Sequence, residues 1–95
     1  MLLLNNGQEY FSATPQRVEQ TVHPSNKSVV MTTFILGQEA YTFYKQFNQL
    51  DIVSGRFTLY GDVYLIENWT YLGYARSPLL LERNQYAIMF ISEAK

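Results

Sequence analysis

The sequence predicts an α+β fold, a small antiparallel β-sheet or barrel with one helix packed across it. Three observations carry this expectation. The runs "VVMTTFIL", "GDVYLIENW" and "YAIMFIS" are rich in β-branched and aromatic residues, as strands are. One segment, "QEAYTFYKQFNQL", places its apolar residues at helical spacing. The chain has 95 residues and no repeat, low-complexity tract or linker, so it makes one domain, 1–95.

Taken in order, "MLLL" is apolar but ends at Asn5-Asn6-Gly7, too early for a signal peptide or a membrane span. "NNGQ" is a turn, because Asn and Gly tolerate positive φ. Tyr10-Phe11 is a short apolar patch. Thr14-Pro15 could open a helix, but "RVEQTV" alternates Val18 and Val22 with polar neighbours and favours an extended segment. "HPSNKS" is turn chemistry, so 17–22 and 28–36 form a hairpin around a long turn.

The helix is expected over 38–50. Ala40, Phe43, Tyr44, Phe47 and Leu50 make its apolar stripe, and Glu39 lies in the first turn, where the helix dipole favours it. "SGR" at 54–56 reads as a turn before the strand "RFTLY". Val63 to Ile66 is apolar on both faces and is expected as a buried central strand. Tyr86 to Ser92 has the same two-faced pattern. An antiparallel pair of 63–72 against about 79–91, joined by "GYARSP", completes the predicted sheet.

Composition narrows the function. Charged residues are 16% of the chain, well below the usual quarter, and aromatic residues are also 16%. Such a chain exposes tyrosine-rich surface or covers it with a partner, which favours an oligomer or larger assembly. The net charge is −1, and Arg17, Lys27, Lys45, Arg56, Arg76, Arg83 and Lys95 are spread singly. Nucleic acid as a partner is disfavoured by that spread. There are no cysteines and one histidine, His23, in a turn, so no metal or other cofactor site is expected. "NKS" and "NWT" match the glycosylation pattern by chance in a chain without a secretion signal.

No catalytic constellation stands out, and the chain reads as a non-enzyme. No serine has a nucleophile context, the glycines are too dispersed for a phosphate loop, and no two acids have telling spacing. Asp62 beside Gly61 serves a turn. Glu67 shares a strand face with Leu65 and Trp69 and reads as a cross-strand ion-pair partner for Arg83 or Arg76 or as an edge charge. The aromatics Phe57, Tyr60, Tyr64, Trp69, Tyr71 and Tyr74 could offer a stacking platform, but nearby acids cancel the basic groove that single-stranded nucleic acid needs.

Three pieces of the second half, "YTFYKQFNQL", "GDVYLIENW" and "RNQYAIMFISE", together form a pattern. A helix is followed by a Gly-led strand ending near a tryptophan, then by a closing strand with a basic residue before an apolar run. Over about 36–93 this resembles small bacteriophage tail proteins of the tail-completion, tube-initiation and distal-tail type. The resemblance implies a non-enzymatic virion structural protein, made in the host cytoplasm, which assembles with other virion proteins and with copies of itself. A capsid cement or decoration protein fits the same composition, and a small β-domain that binds a ligand or single-stranded nucleic acid is the alternative from another class. Contacts are expected in 1–12 and the loops at 23–28 and 73–79, and Tyr10, Phe11, Tyr71, Tyr74 and Arg76 are the specific candidates, because Tyr and Arg are enriched where interfaces bind most strongly.

Overall fold

The computed structural model describes residues 1–74 and 79–94, with the backbone alone at 74, 79, 83 and 94. Its strands are β1 (Leu2–Asn5), β2 (Tyr10–Ala13), β3 (Arg17–His23), β4 (Asn26–Leu36), β5 (Asp51–Leu59), β6 (Asp62–Leu65), β7 (Trp69–Tyr74), β8 (Leu79–Leu80) and β9 (Tyr86–Ala94). The helix α1 (Gln38–Lys45) joins β4 to β5. Short 3-10 turns at Ile66–Asn68 and Glu82–Asn84 precede β7 and β9.

The α+β class is as expected, but among the described residues the strands form two antiparallel sheets and no closed barrel. The first has the order β2–β1–β5–β6. The second runs β3–β4–β9–β7, with β8 beside β9. Their inner faces meet in one core. Leu2, Leu4, Ile52, Phe57 and Leu59 come from the first sheet, and Phe34, Leu36, Tyr86, Ile88 and Phe90 from the second. Phe34 meets Phe57 edge-on at 5.1 Å between ring centroids, the geometry the ring quadrupole prefers.

The "MLLL" segment supplies β1, an interior strand. Leu2 and Leu4 point into the core with no exposed surface, so this part of the predicted contact region 1–12 is closed to a partner. The β3–β4 hairpin is present, but its turn is only Pro24-Ser25. The ring Nδ1 of His23 accepts the Ser25 N–H at 3.2 Å, and Asn26 Oδ1 accepts the Ser28 N–H at 3.0 Å. These side-chain bonds tighten a connection that "HPSNKS" suggested would be long.

The helix is shorter than its apolar spacing implied. It stops at Lys45 because Asn48 takes a positive φ of 51° and turns the chain toward β5. Ala40 and Phe43 are buried, and Leu50 reaches the core from beyond the helix, whereas Phe47 is exposed. Asn6 ties down this end. It is fully buried, and its amide donates to the Phe43 carbonyl at 3.1 Å and to Gln46 Oε1 at 3.3 Å. Its Oδ1 accepts the N–H groups of Gln8 and Glu9. One side chain thus satisfies a carbonyl at the helix end and two donors in the β1–β2 turn.

"SGR" is not a turn. It lies inside β5, where Gly55 has φ +137° and the register against β1 slips. Asp51–Gly55 pairs with β1, and Arg56–Leu59 pairs with β6. A Cβ at Gly55 would lie 2.7 Å from Leu2 Cα, so glycine allows both the bend and the close approach of β1.

The stretch from 61 to 74 corrects two expectations. Val63 to Ile66 is not a buried central strand. β6 stops at Leu65 and is the last strand of its sheet. Nor is 63–72 one strand paired with 79–91. The 3-10 turn carries Ile66 into the core and moves the chain to the other sheet, where β7 pairs with the far half of β9 and β8 with its start. The polar pair Glu67-Asn68 marks the break.

Candidate protein-interaction surface

Of the contact residues expected from sequence, Tyr10 and Phe11 lie on the first sheet and Tyr71 on the second. Tyr10 lies on β2 and is 66% exposed. The next residue, Phe11, points to the opposite face, as strand alternation requires. It packs on Phe43 at 5.2 Å between centroids and joins the rim of the core. Phe11 and Phe43 floor an open groove of about 360 Å³ walled by Gln38, Glu39 and Thr42 of α1 and by Gln46 just beyond it. The groove holds one carboxylate and two amides beside an apolar floor, with no base positioned against a nucleophile.

Tyr71 lies on β7, in the other sheet, 52% exposed and stacked on Phe90 at 5.5 Å. Its hydroxyl pKa is raised, first by partial burial and then by the charge of Asp51. Tyr74 ends β7, but its side chain lies outside the described residues, and so does all of Arg76, with most of the predicted contact loop 73–79.

Trp69 is half buried, so the opening of β7 is a spine more than a platform. Its ring is 6.2 Å from Tyr64, which stacks on Phe57 at 5.3 Å, and Phe57 meets Phe34 in the core. The aromatic row runs inward instead of presenting open faces to stacked bases.

Glu67 bonds to backbone, and the side chains of Arg83 and Arg76, expected as its partners, lie outside the described residues. Glu67 Oε1 accepts the Gly55 N–H at 2.7 Å, across the bend of β5. His23 is a turn residue, with Ser25 Oγ 3.0 Å from its Nδ1. Among the described residues no three of His, Cys, Asp and Glu gather to hold a metal ion, and no helix is long and apolar enough to cross a membrane.

The surface that sequence reasoning missed is the β6 side of the first sheet. Tyr60 is 86% exposed, Val63 61% and Leu65 39%. Beyond the 3-10 turn, Leu72 of β7 is exposed as well. These are apolar and aromatic side chains at the β5–β6 turn and on two edge strands, β6 and β7, that follow one another in the chain. The signal was present in "YGDVYL". The glycine before β6 and the polar pair Glu67-Asn68 shortly after it mark a short strand, and its edge position comes from the pairing.

Compared with protein-family models, curated proteins and solved structures, the chain matches none. The surface chemistry therefore carries the functional reading. Among the described residues it consists of exposed tyrosines and aliphatic residues on sheet edges, shallow grooves, and a surface ion pair, Arg17 to Glu19 at 3.1 Å.

Proposed function

We propose that the chain is a virion structural protein of a bacteriophage, a tail or tail-junction component that works by protein–protein assembly. The observation that carries this reading is the set of exposed apolar and aromatic side chains Tyr60, Val63 and Leu65 at and on β6, with Tyr71 and Leu72 exposed on β7 of the other sheet. Monomers protect sheet edges and keep large apolar patches out of water. An edge that displays tyrosine and aliphatic side chains is suited to another protein. The resemblance of 36–93 to small tail proteins points to the particle in which that partner would be found.

The mechanism is docking, without chemistry. Two packed sheets and a helix pinned by Asn6 form a stiff body, and the outer strands meet neighbouring subunits. Antibody raised against the purified chain tests this on virus particles banded from a culture that produces it. Gold label at the tail or its junction with the shell is the expected result. Label spread over the shell would transfer the chain to the decoration class. Particles without label, opened or intact, would end the virion reading.

A further inference from the structure

We infer that two copies of this chain join through β6, strand to strand and antiparallel, into one continuous eight-stranded sheet. This contact rests on the proposal that the chain works by assembly, and it names the surface and the partner.

The four sheet edges differ in how they are protected. β2 is flanked by α1, with Phe11 against Phe43. β3 carries the charged pair Arg17 and Glu19. β7 slips register between Tyr71 and Gly73, and Gly73 has φ +145°. Charge, bulges and flanking elements are the usual means of keeping an edge from pairing. Among the described residues β6 has no bulge, and its only charge is Asp62 at the turn end. Its register with β5 is regular from Leu65 to Asp62, and it contains no Pro, Lys or Arg. Beyond Asp62, shortness and the 3-10 turn after Leu65 are its protection, and Val63 and Leu65 are exposed apolar side chains.

Hairpin geometry then says which backbone groups face outward. The turn at Tyr60-Gly61 has φ of 52° and 83°, positive at both positions, as a two-residue type I′ turn requires. In such a hairpin the closing pair, Leu59 and Asp62, exchanges both hydrogen bonds, and so does every second pair beyond it. Asp62 and Tyr64 therefore point their N–H and C=O groups at β5. Val63 and Leu65 point theirs at the open edge.

A second β6 fits that edge in one register. Val63 lies opposite Leu65 of the second copy, Leu65 opposite its Val63, and Tyr64 opposite its Tyr64 on the two-fold axis. The outward N–H groups and the Val63 C=O of each copy are used directly, and the Leu65 C=O, which already accepts a backbone N–H at the start of the 3-10 turn, takes the second copy's Val63 N–H on its other lone pair. On the outer sheet face the four side chains brought together are two valines and two leucines. The two Asp62 residues fall at opposite ends, so no like charges meet. Glu67 is turned away, held by the Gly55 N–H. A contact of this kind is isologous and closes at two copies.

Sedimentation of the whole chain tests the proposal from about 1 to about 500 μM, the range in which so small an interface dissociates. A monomer–dimer equilibrium is expected. Val63→Lys places charge at the centre of the contact, and Val63→Pro removes an outward N–H that β5 does not use. Both are expected to stay monomeric throughout, with the near-ultraviolet spectrum of the parent. A dimer that survives both substitutions overturns the β6 contact and leaves the assembly reading in place. A parent chain monomeric at every concentration also overturns it, whatever the particle labelling shows.

Disulfide capture gives an independent readout, because the chain has no cysteine of its own. In the proposed register position 64 of one copy faces position 64 of the other at about 4.5 Å between Cα atoms. Tyr64→Cys is expected to link into dimers several times faster than Tyr60→Cys, although position 60 is the more exposed. Equal rates, or faster linking of the Tyr60→Cys variant, would overturn the register.

Discussion

In β9, Tyr86, Ile88 and Phe90 are buried against the facing sheet, and Ala87 on the other face is buried as well. In β6, Val63 and Leu65 stand in solvent and only Tyr64 turns toward the core. Both strands are apolar on both faces in the sequence. β9 is nine residues long and lies between β4 on one side and β7 with β8 on the other. β6 has four residues and, among the described residues, one neighbour. The pattern of a strand tells which environments it tolerates. Its number of partners decides which one it receives, as the equally short but interior β1 shows. An apolar strand left at an edge is surplus to the fold's own packing, and at β6 that surplus is surface for a partner.

The strongest way to break this comparison is to truncate one residue in each strand. Phe90→Ala removes a buried ring and leaves a cavity, which is expected to cost about 3–5 kcal/mol. Val63→Ala is expected to change stability by less than about 0.5 kcal/mol. Urea unfolding of the two variants at concentrations where the chain is monomeric checks this, and similar costs would mean that β6 is as deeply packed as β9.

Gly55→Ala comes next, at about 2–3 kcal/mol, because the new Cβ would require φ +137° and would press on Leu2. It sharpens the comparison, since Gly55 is where β5 passes from its interior neighbour β1 to its edge neighbour β6. Hydrogen exchange should show β1 loosening more than β9.

Asn6→Ala is expected to cost about 2 kcal/mol, leaving the Gln8 and Glu9 N–H groups and the Phe43 carbonyl without their side-chain partner. Exchange should speed up in the β1–β2 turn and at the end of α1, while β6 stays as it was.

The smallest effect concerns Tyr71. Its folded pKa is raised above 10.0, so the unfolded chain loses this proton first as pH rises. Stability attached to Tyr71 is complete below about pH 10 and declines as pH rises above it. Tyr71→Phe should flatten the alkaline limb of a thermal-melt series without moving the melting temperature at pH 7. A limb of unchanged slope would remove Tyr71 from that account.

Much of the fold was legible before any coordinates. The hairpin from 17 to 36, the start and apolar face of the helix, and the deep burial of 86–92 all follow from periodicity and turn residues. Three features were not. "SGR" has turn composition, yet Gly55 serves as a bend within a strand because β1 crosses it closely. Asn6 reads as an ordinary turn residue, yet its side chain reaches an element 37 positions away. Of the contact residues chosen from composition, Tyr10 and Tyr71 are exposed, but they lie on different sheets, and Phe11 belongs mostly to the core. Val63 and Leu65 escaped notice because aliphatic residues in a strand suggest interior.

By itself the sequence determined the α+β class, the place where the helix begins and the absence of any thiol chemistry, since composition and local periodicity act over a few residues at a time. Only the tertiary structure decided that the strands divide between two sheets, that β9 lies inside and β6 at an edge, and that Glu67 binds a backbone amide. Those outcomes depend on which distant segments meet. Pairing is set by the sum of contacts across the whole core, and no single stretch of chain contains that sum.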